Sequence, residues 1–432
     1  MILYDNGDWF EVIFTYVGTV WPQIRTRFIV VTAYAVVAYA FQAIYRLNFG
    51  TEGKTILMGT MSFLLIFRAN QAYARYWQGR SIVSELFSDI REFIMLTLIY
   101  TRGGINTATF LFHGGPGIPP KSRFIEDGFD QKAHEMRVDV VRLCVALGVA
   151  FKLHTRIAHD GYCFGSISRQ AKWYCDFDRL RLRQLLTEEE FKVIDGCVGI
   201  HSDHQPGAGD PLEHLFEQFG LESEEGPQGP PPDWPEEFEV ETACRVRQPV
   251  AIIFLLRVVL CRNMNDASNS QPWGVKDRFV GGLASILTTM QYSFELANQI
   301  VTTPLPLPYA NICKTLLGLF LLSLPFFVDY ELGWFANTVI PAITCLALLG
   351  IDAIATELEN PFGDDDNDLD ILEQIHCLES EAMEMLRLSG DEQGRARFLW
   401  QSLPDFVKAC SCRTLRKQLV LRESALPASL GS

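Results

Sequence analysis

Phe28–Leu47 (FIVVTAYAVVAYAFQAIYRL) carries no charge before Arg46, and Arg25 and Arg27 stand just ahead of it. Twenty residues at helical rise cover about 30 Å, the thickness of a bilayer's hydrocarbon core. Two further runs have the same character: Tyr309–Val328 and Phe335–Ala355, joined by the short DYELGW turn. Pro325 and Pro341 lie inside them, which membrane helices tolerate better than soluble ones. Thr55–Phe67 is apolar but only 13 residues long, and it runs without a breaker into Arg68, Asn70, Arg75 and Arg80. Alone it is too short for a lipid-facing span. It reads either as a pore-lining helix that leaves lipid early or as a soluble core helix. Val250–Leu260 is shorter still and holds Arg257 centrally. It reads as a buried helix of an aqueous domain.

The rest of the chain is too polar for a protein that is all membrane: 21% of the 432 residues are charged, and the net charge is -15. That charge is concentrated. Residues 211–241 hold ten acids and residues 352–384 hold twelve, with no Lys or Arg in either stretch. Outside them 37 bases face 30 acids, so a mildly basic body carries two acidic appendages. A disordered chain, a collagen-like chain and a basic nucleic-acid binder are excluded. The loops around 46–54 and 329–334 are short and nearly free of bases, whereas 68–308 carries most of the Arg and Lys. The positive-inside rule then predicts four crossings, with 68–308 and both termini on the cytosolic face.

That inner region reads as helical. Apolar residues recur at helical spacing over Arg68–Thr101 and Val138–Ile157, and no sustained period-two alternation occurs. Thr187, followed by Glu188, Glu189 and Glu190, looks like a helix start in which Thr187 caps and Glu190 reaches back. Gly103–Pro120 reads as a loop, and 201–241, which contains GPQGPPPDWP, as a flexible insertion. His201, His204 and His214 fall in or beside that Pro/Gly-rich stretch, where nothing holds metal geometry. Cys410 and Cys412 lack a second pair at zinc spacing. Eleven scattered cysteines suit a reducing compartment, and Met1–Phe10 lacks the pattern of a cleaved leader. No G-x-S-x-G, Walker loop or HExxH occurs, so an enzyme is not expected.

The sharpest local feature follows the last apolar run: Glu357-Leu-Glu-Asn-Pro-Phe-Gly-Asp-Asp-Asp-Asn-Asp368. Calcium takes six to eight oxygens on a backbone that turns sharply. Pro361 and Gly363 supply turns, and Asp365 and Asp368 can face one ion. The alternative is a solvated acidic cap on a helix beginning near Leu369.

Phe67-Arg-Ala-Asn-Gln-Ala-Tyr-Ala-Arg-Tyr-Trp-Gln-Gly-Arg80 resembles the FRxNxxYxRxxxxR stretch of bestrophin-like anion channels. So do Trp9-Phe10 with Gly18 before the first span, and Thr303-Pro-Leu-Pro-Leu-Pro-Tyr309 before the third. Leu349-Gly-Ile-Asp352 and the acidic run after Asn360-Pro-Phe-Gly363 complete the order. The resemblance runs from about Trp9 to Ile371, without the insertion, and mixes features of the animal and the bacterial and plant branches. It implies an all-α subunit of a homopentamer, with four spans and a large helical cytosolic domain, in contact with membrane lipid. It also implies a central pore for chloride and other small anions, its neck lined by the second helix at Ile56, Thr60 and Phe63. By the same resemblance Asp365 and Asp368 ligate calcium with an N-terminal backbone carbonyl, while Asn360 and Glu357 contribute oxygens nearby. The channel core is then 1–371, and 372–432 is a cytosolic tail. The expected function is a calcium-modulated anion channel of the plasma membrane. A bicarbonate channel of a photosynthetic organelle and a non-conducting calcium-binding scaffold are the alternatives.

Overall fold

The structure, a computed structural model, describes Phe10 and residues 18–45, 51–103, 131–164, 178–195, 247–265, 273–363, 367–389 and 391. Asp365, the insertion at 201–241 with its histidines, Cys410, Cys412 and residues 104–120 of the expected loop lie outside the described residues. The described chain is dominated by helices: α1 (Trp21–Tyr45), α2 (Thr51–Tyr100), α3 (Gln131–Phe164), α4 (Glu188–Asp195), α5 (Gln248–Arg262), α6 (Asp277–Thr302), α7 (Leu307–Ser323), α8 (Gly333–Leu358) and α9 (Ile371–Leu388). Three short strands, β1 (Thr101–Gly103), β2 (Met264–Asn265) and β3 (Trp273–Lys276), form one sheet in the order β1-β3-β2. β1 is antiparallel to β3, with Thr101 opposite Val275, and β2 is parallel to it.

The chain divides into two compact units, residues 1–81 with 297–369 and residues 82–296 with 370–432. In the first unit α1 packs on α8, and Ile24, Met61, Leu65, Phe320, Leu324 and Cys345 share one buried cluster. Three helical segments of this unit are long and apolar enough to cross a membrane: Trp21–Tyr45, Leu307–Phe327 and Gly333–Leu358. They contain most of three of the four expected spans. The fourth, Thr55–Phe67, lies inside the 50-residue α2 and does not qualify by itself.

Pro325 changes its span more than expected. The α-helix stops at Ser323, and Leu324–Phe327 continues as 3-10 helix. Proline has no N–H, so the Leu322 carbonyl loses its 3-10 donor. The Tyr34 hydroxyl of α1 replaces it at 2.8 Å, and buried Gln42 donates to the Pro325 carbonyl at 3.1 Å. In a lipid-facing setting such side-chain donors are what makes a broken helix tolerable. Pro341 stays inside α8, whose start is tied by Asn337 to the carbonyls of Asp329 and Gly333 at 2.8 and 3.0 Å.

In the second unit α3 is buried along most of its length although it carries Arg142 and Lys152. Each charge has a matched acid. Lys152 Nζ meets both Asp178 oxygens at 2.6 and 2.9 Å, and Arg142 pairs with Glu190. The expected start of α4 is present: Thr187 N donates to Glu190 Oε2 at 2.9 Å, and Glu190 N to Thr187 Oγ1 at 3.4 Å. α5 buries Ala251, Ile252, Ile253, Leu256 and Leu260 but leaves Phe254 exposed, so the expected buried helix at Val250–Leu260 is buried only in part. α9 starts at Ile371, where the Asp370 carboxylate accepts from Glu373 N at 3.1 Å. One residue of the acidic run is therefore a helix cap.

Candidate functional site

One face of α2 gathers the separate sequence motifs of the first unit. Arg68, buried to 2% exposure, forms an ion pair with Asp352 of α8 and donates to Thr356 Oγ1 at 3.2 Å. Two turns on, Arg75 spends its guanidinium on backbone: Ile300 and Thr303 carbonyls at 2.7 Å each and Glu359 at 3.2 Å. These carbonyls end α6 and α8, where helices leave acceptors without partners and the dipole favours a cation. Burial draws the Arg75 pKa down, and the Glu359 carboxylate opposes that shift. Glu359 in turn accepts from Leu305 N at 3.0 Å, holding the proline-rich entry to α7. At the next turn α2 carries Gly79, which lies against Pro361.

The loop after α8 folds back on itself at Gly363. A Cβ there would lie 2.8 Å from Asp368 Oδ2 and 3.1 Å from Asn360 Nδ2, so the absent side chain lets both approach. Asp368 is buried, and Asn360 Oδ1 accepts from Phe362 N at 3.3 Å. Asn367 Nδ2 donates to Glu357 Oε1 at 2.6 Å and to the Gly18 carbonyl at 2.8 Å. Gly18 has φ +77°, a left-handed conformation that favours glycine. Tyr76 of α2 donates to the Asn367 carbonyl at 3.0 Å, and burial, then the Asp368 charge, raise the Tyr76 pKa. Of the residues expected to hold calcium, Asn360 and Asp368 lie in this loop and Glu357 in the last turn of α8 before it, and Asn367 ties Glu357 to an N-terminal carbonyl. The donors are carboxylate, amide and carbonyl oxygens, the hard set that calcium takes, so the residues fit that ion by donor class. Among the described residues no group of three or more His, Cys, Asp or Glu stands together as a metal cluster.

The residues expected at the neck lie elsewhere on α2. Ile56 and Phe63 are 74% and 68% exposed and Thr60 is also exposed, while Met61 and Leu65 are buried in the unit's core. Thr60 donates its hydroxyl to the Ile56 carbonyl at 2.9 Å. Phe63 stacks on Phe67 with centroids 6.4 Å apart. Among the described residues nothing covers this face.

Comparison with known proteins gives the family. Residues 1–195 and 233–384 match the model of the bacterial and fungal bestrophin proteins. The chain belongs to the bestrophin family. A voltage-dependent anion channel-forming protein of Nostoc sp. is 25% identical over 363 residues, 84% of this chain and 86% of that protein. One of the same description from Synechocystis sp. is 22% identical, covering 88% of this chain and 92% of its own. A point variant of a bacterial bestrophin homolog from Klebsiella pneumoniae shares the fold with TM-score 0.54 at 16% identity, covering 84% of this chain and 98% of its own. With its three long apolar helices, this bestrophin is an integral membrane protein.

The match resumes at residue 233, so it omits most of the insertion. Several residues of the junction were not singled out from sequence. Asn367 is the amide within the acidic run, and that change of chemistry among carboxylates was the available signal. Gly79 stands at an unspecified position of the FRxNxxYxRxxxxR stretch; Arg75 was read as part of that motif, but its backbone-carbonyl partners leave no pattern to read.

Proposed function

We propose that this bestrophin is one subunit of a homopentameric anion channel, passing chloride and other small anions through a central pore. The observation that carries the reading is the exposed apolar face of α2 at Ile56, Thr60 and Phe63. A face of this kind calls for lipid or protein cover, and a 13-residue apolar run is too short to meet lipid alone. Around a five-fold axis it becomes the fourth span and the neck, out of lipid. The relatives named for forming anion channels support the same reading. An anion pore does not need rings of Lys or Arg, which would hold the ion too tightly for release. Residues 68–308 and both termini then lie on the cytosolic side of the plasma membrane, with a channel core at 1–371 and a tail beyond. Calcium modulates the channel through Asp365, Asp368, Asn360 and Glu357. The protein acts as a channel and not as an enzyme.

Purified protein in a planar bilayer tests this, with chloride, nitrate and bicarbonate exchanged across it. Anion-selective unitary currents are expected, together with a pentamer mass in detergent. A silent bilayer with properly inserted protein would reject conduction. A stable monomer or dimer would reject the ring.

A further inference from the structure

Within the second unit, two sets of charges are left over. On α2, Glu85, Asp89 and Glu92 stand at i, i+4 and i+7, on one face of the helix. Glu85 and Glu92 are exposed, while Asp89 Oδ2 is shielded from water without a hydrogen-bond partner. Burial, then the charges of Glu85 and Glu92, hold the Asp89 carboxyl above its usual range. The neighbouring cation on the helix, Arg91, pairs with Glu381 instead. The same stripe continues to Met95 and Ile99, which are 43% and 59% exposed.

The second set lies where α5, β3 and the start of α6 come together, tied by Val275 N donating to the Asn263 carbonyl at 3.0 Å. Among the described residues Arg257 donates to the Thr288 hydroxyl, at 3.0 Å, and Arg278 lies over the Phe279 ring, 4.5 Å from its centroid. Arg262 and Lys276 complete the group. Among the described residues none of these four cations has a carboxylate within ion-pair distance. Phe254 and Tyr292, 63% and 60% exposed, lie on the same two helices as Arg257 and Thr288.

Both sets are thus a charge row beside exposed apolar side chains, opposite in sign and not used against each other within the protomer. We infer that they are the two halves of a contact between copies: the α2 face at Glu85, Asp89 and Glu92 docks on the α5–α6 face at Arg257, Arg262 and Arg278 of a second copy. Two different surfaces meeting head to tail make a heterologous contact, which closes a ring when the rotation permits. The inference rests on the oligomeric reading above and names its surfaces. Exposed Glu85 and Glu92 are the carboxylates a second copy can reach, and complementary charge sets the register of such contacts.

The test is a charge swap read by native mass in detergent. Glu85→Lys with Glu92→Lys, and separately Arg257→Glu with Arg262→Glu, are each expected to weaken association by on the order of tenfold or more. Combining all four in one chain is expected to restore the wild-type assembly. Single-face variants that assemble as tightly as wild type would overturn the inference. So would a combined variant that is folded by circular dichroism yet stays dissociated. If the combined variant does not fold, wild-type assembly read from low to molar salt decides instead: association should weaken as salt screens the contact, and salt-independent association would overturn it. The acidic stretch 211–241 of the same chain is the rival occupant of the basic face. Rescue of the Arg257→Glu/Arg262→Glu variant by reversing those acids, and not those of α2, would also overturn it. A wild type that is itself monomeric would reject the oligomeric reading, a separate failure.

Discussion

A methyl group at Gly79 would lie 2.6 Å from Cγ of Pro361, closer than real side chains approach. Gly79 is in the middle of α2, where Ala is ordinarily better than Gly by about 1 kcal/mol. The Pro361 ring is stiff and cannot swing aside, so overpacking of about 1–3 kcal/mol opposes that gain. Gly79→Ala is therefore expected to lower the thermal midpoint in detergent. An unchanged or raised midpoint would show that the loop at Asn360–Gly363 yields freely.

The Arg68–Asp352 pair makes a second stability prediction. Both groups are almost fully buried, so removing one leaves the other charged without its main partner. Asp352→Ala or Arg68→Ala is expected to cost about 3–5 kcal/mol. The double replacement Arg68→Met with Asp352→Leu should cost clearly less than the two single losses added together. Chemical denaturation of the three variants measures the difference, and additive losses would mean that the pair is not coupled.

Much of this was legible in the sequence, and what was not has a physical reason. The apolar runs of α1, α7 and α8 are local signals, and so is the capping box at Thr187 and Glu190. The role of Arg75 is not local. Its acceptors belong to Ile300, Thr303 and Glu359, more than 200 positions away, and any residue type presents the same carbonyl. The break at Pro325 was legible as a proline but not as a helix end, because its cure comes from Tyr34 and Gln42 on another helix. At the loop after α8 the acids were obvious, while the Asn367 link from Glu357 to Gly18 depends on how the chain folds back.

Acid should act on the second unit through Glu190. Burial raises its pKa, but the hydrogen bond from Arg142 and those of Thr187 outweigh it and leave the net value below the ordinary one. A carboxylate with a lowered folded-state pKa stabilises the fold above its unfolded value and loses that contribution as pH falls through the folded one. Wild type should therefore lose stability on the acid side of the normal glutamate range, and Glu190→Gln should flatten that part of the profile. Thermal midpoints measured across acid pH check this. Parallel profiles would remove Glu190 from the account.

Replacing Ile56, Thr60 and Phe63 together by Ala tests the neck. Each side chain would occur five times around the axis, so the triple change removes a large apolar volume from one constriction. Larger unitary conductance or weaker ion discrimination is expected, with pentamer mass unchanged. Single-channel recording reads all of these. Wild-type conductance, gating and selectivity would put the constriction at another level and leave this face to lipid or to neighbouring subunits.

Calcium is the last expectation, and it turns on repulsion. Five Asp residues fall between positions 364 and 370, and they cannot all stay ionised and close together at low cost. Asp370 is committed to capping α9, and the Asp368 carboxylate is held against Gly363 under the loop. A divalent cation relieves the remaining repulsion and takes hard oxygens of the kind that Asn360, Glu357 and the Gly18 carbonyl offer. The same loop touches α2 through Tyr76 and Gly79, so ordering it bears on the helix proposed to carry the neck. Calcium can shift open and closed populations only by its differential affinity for the two states. Asp365→Ala and Asp368→Asn are each expected to move the current–calcium curve to higher calcium while leaving the assembly mass unchanged. Current against free calcium in wild type and both variants is the measurement. Equal wild-type currents with calcium and with chelator would reduce the run to a structural loop held by Asn367 and capped at Asp370.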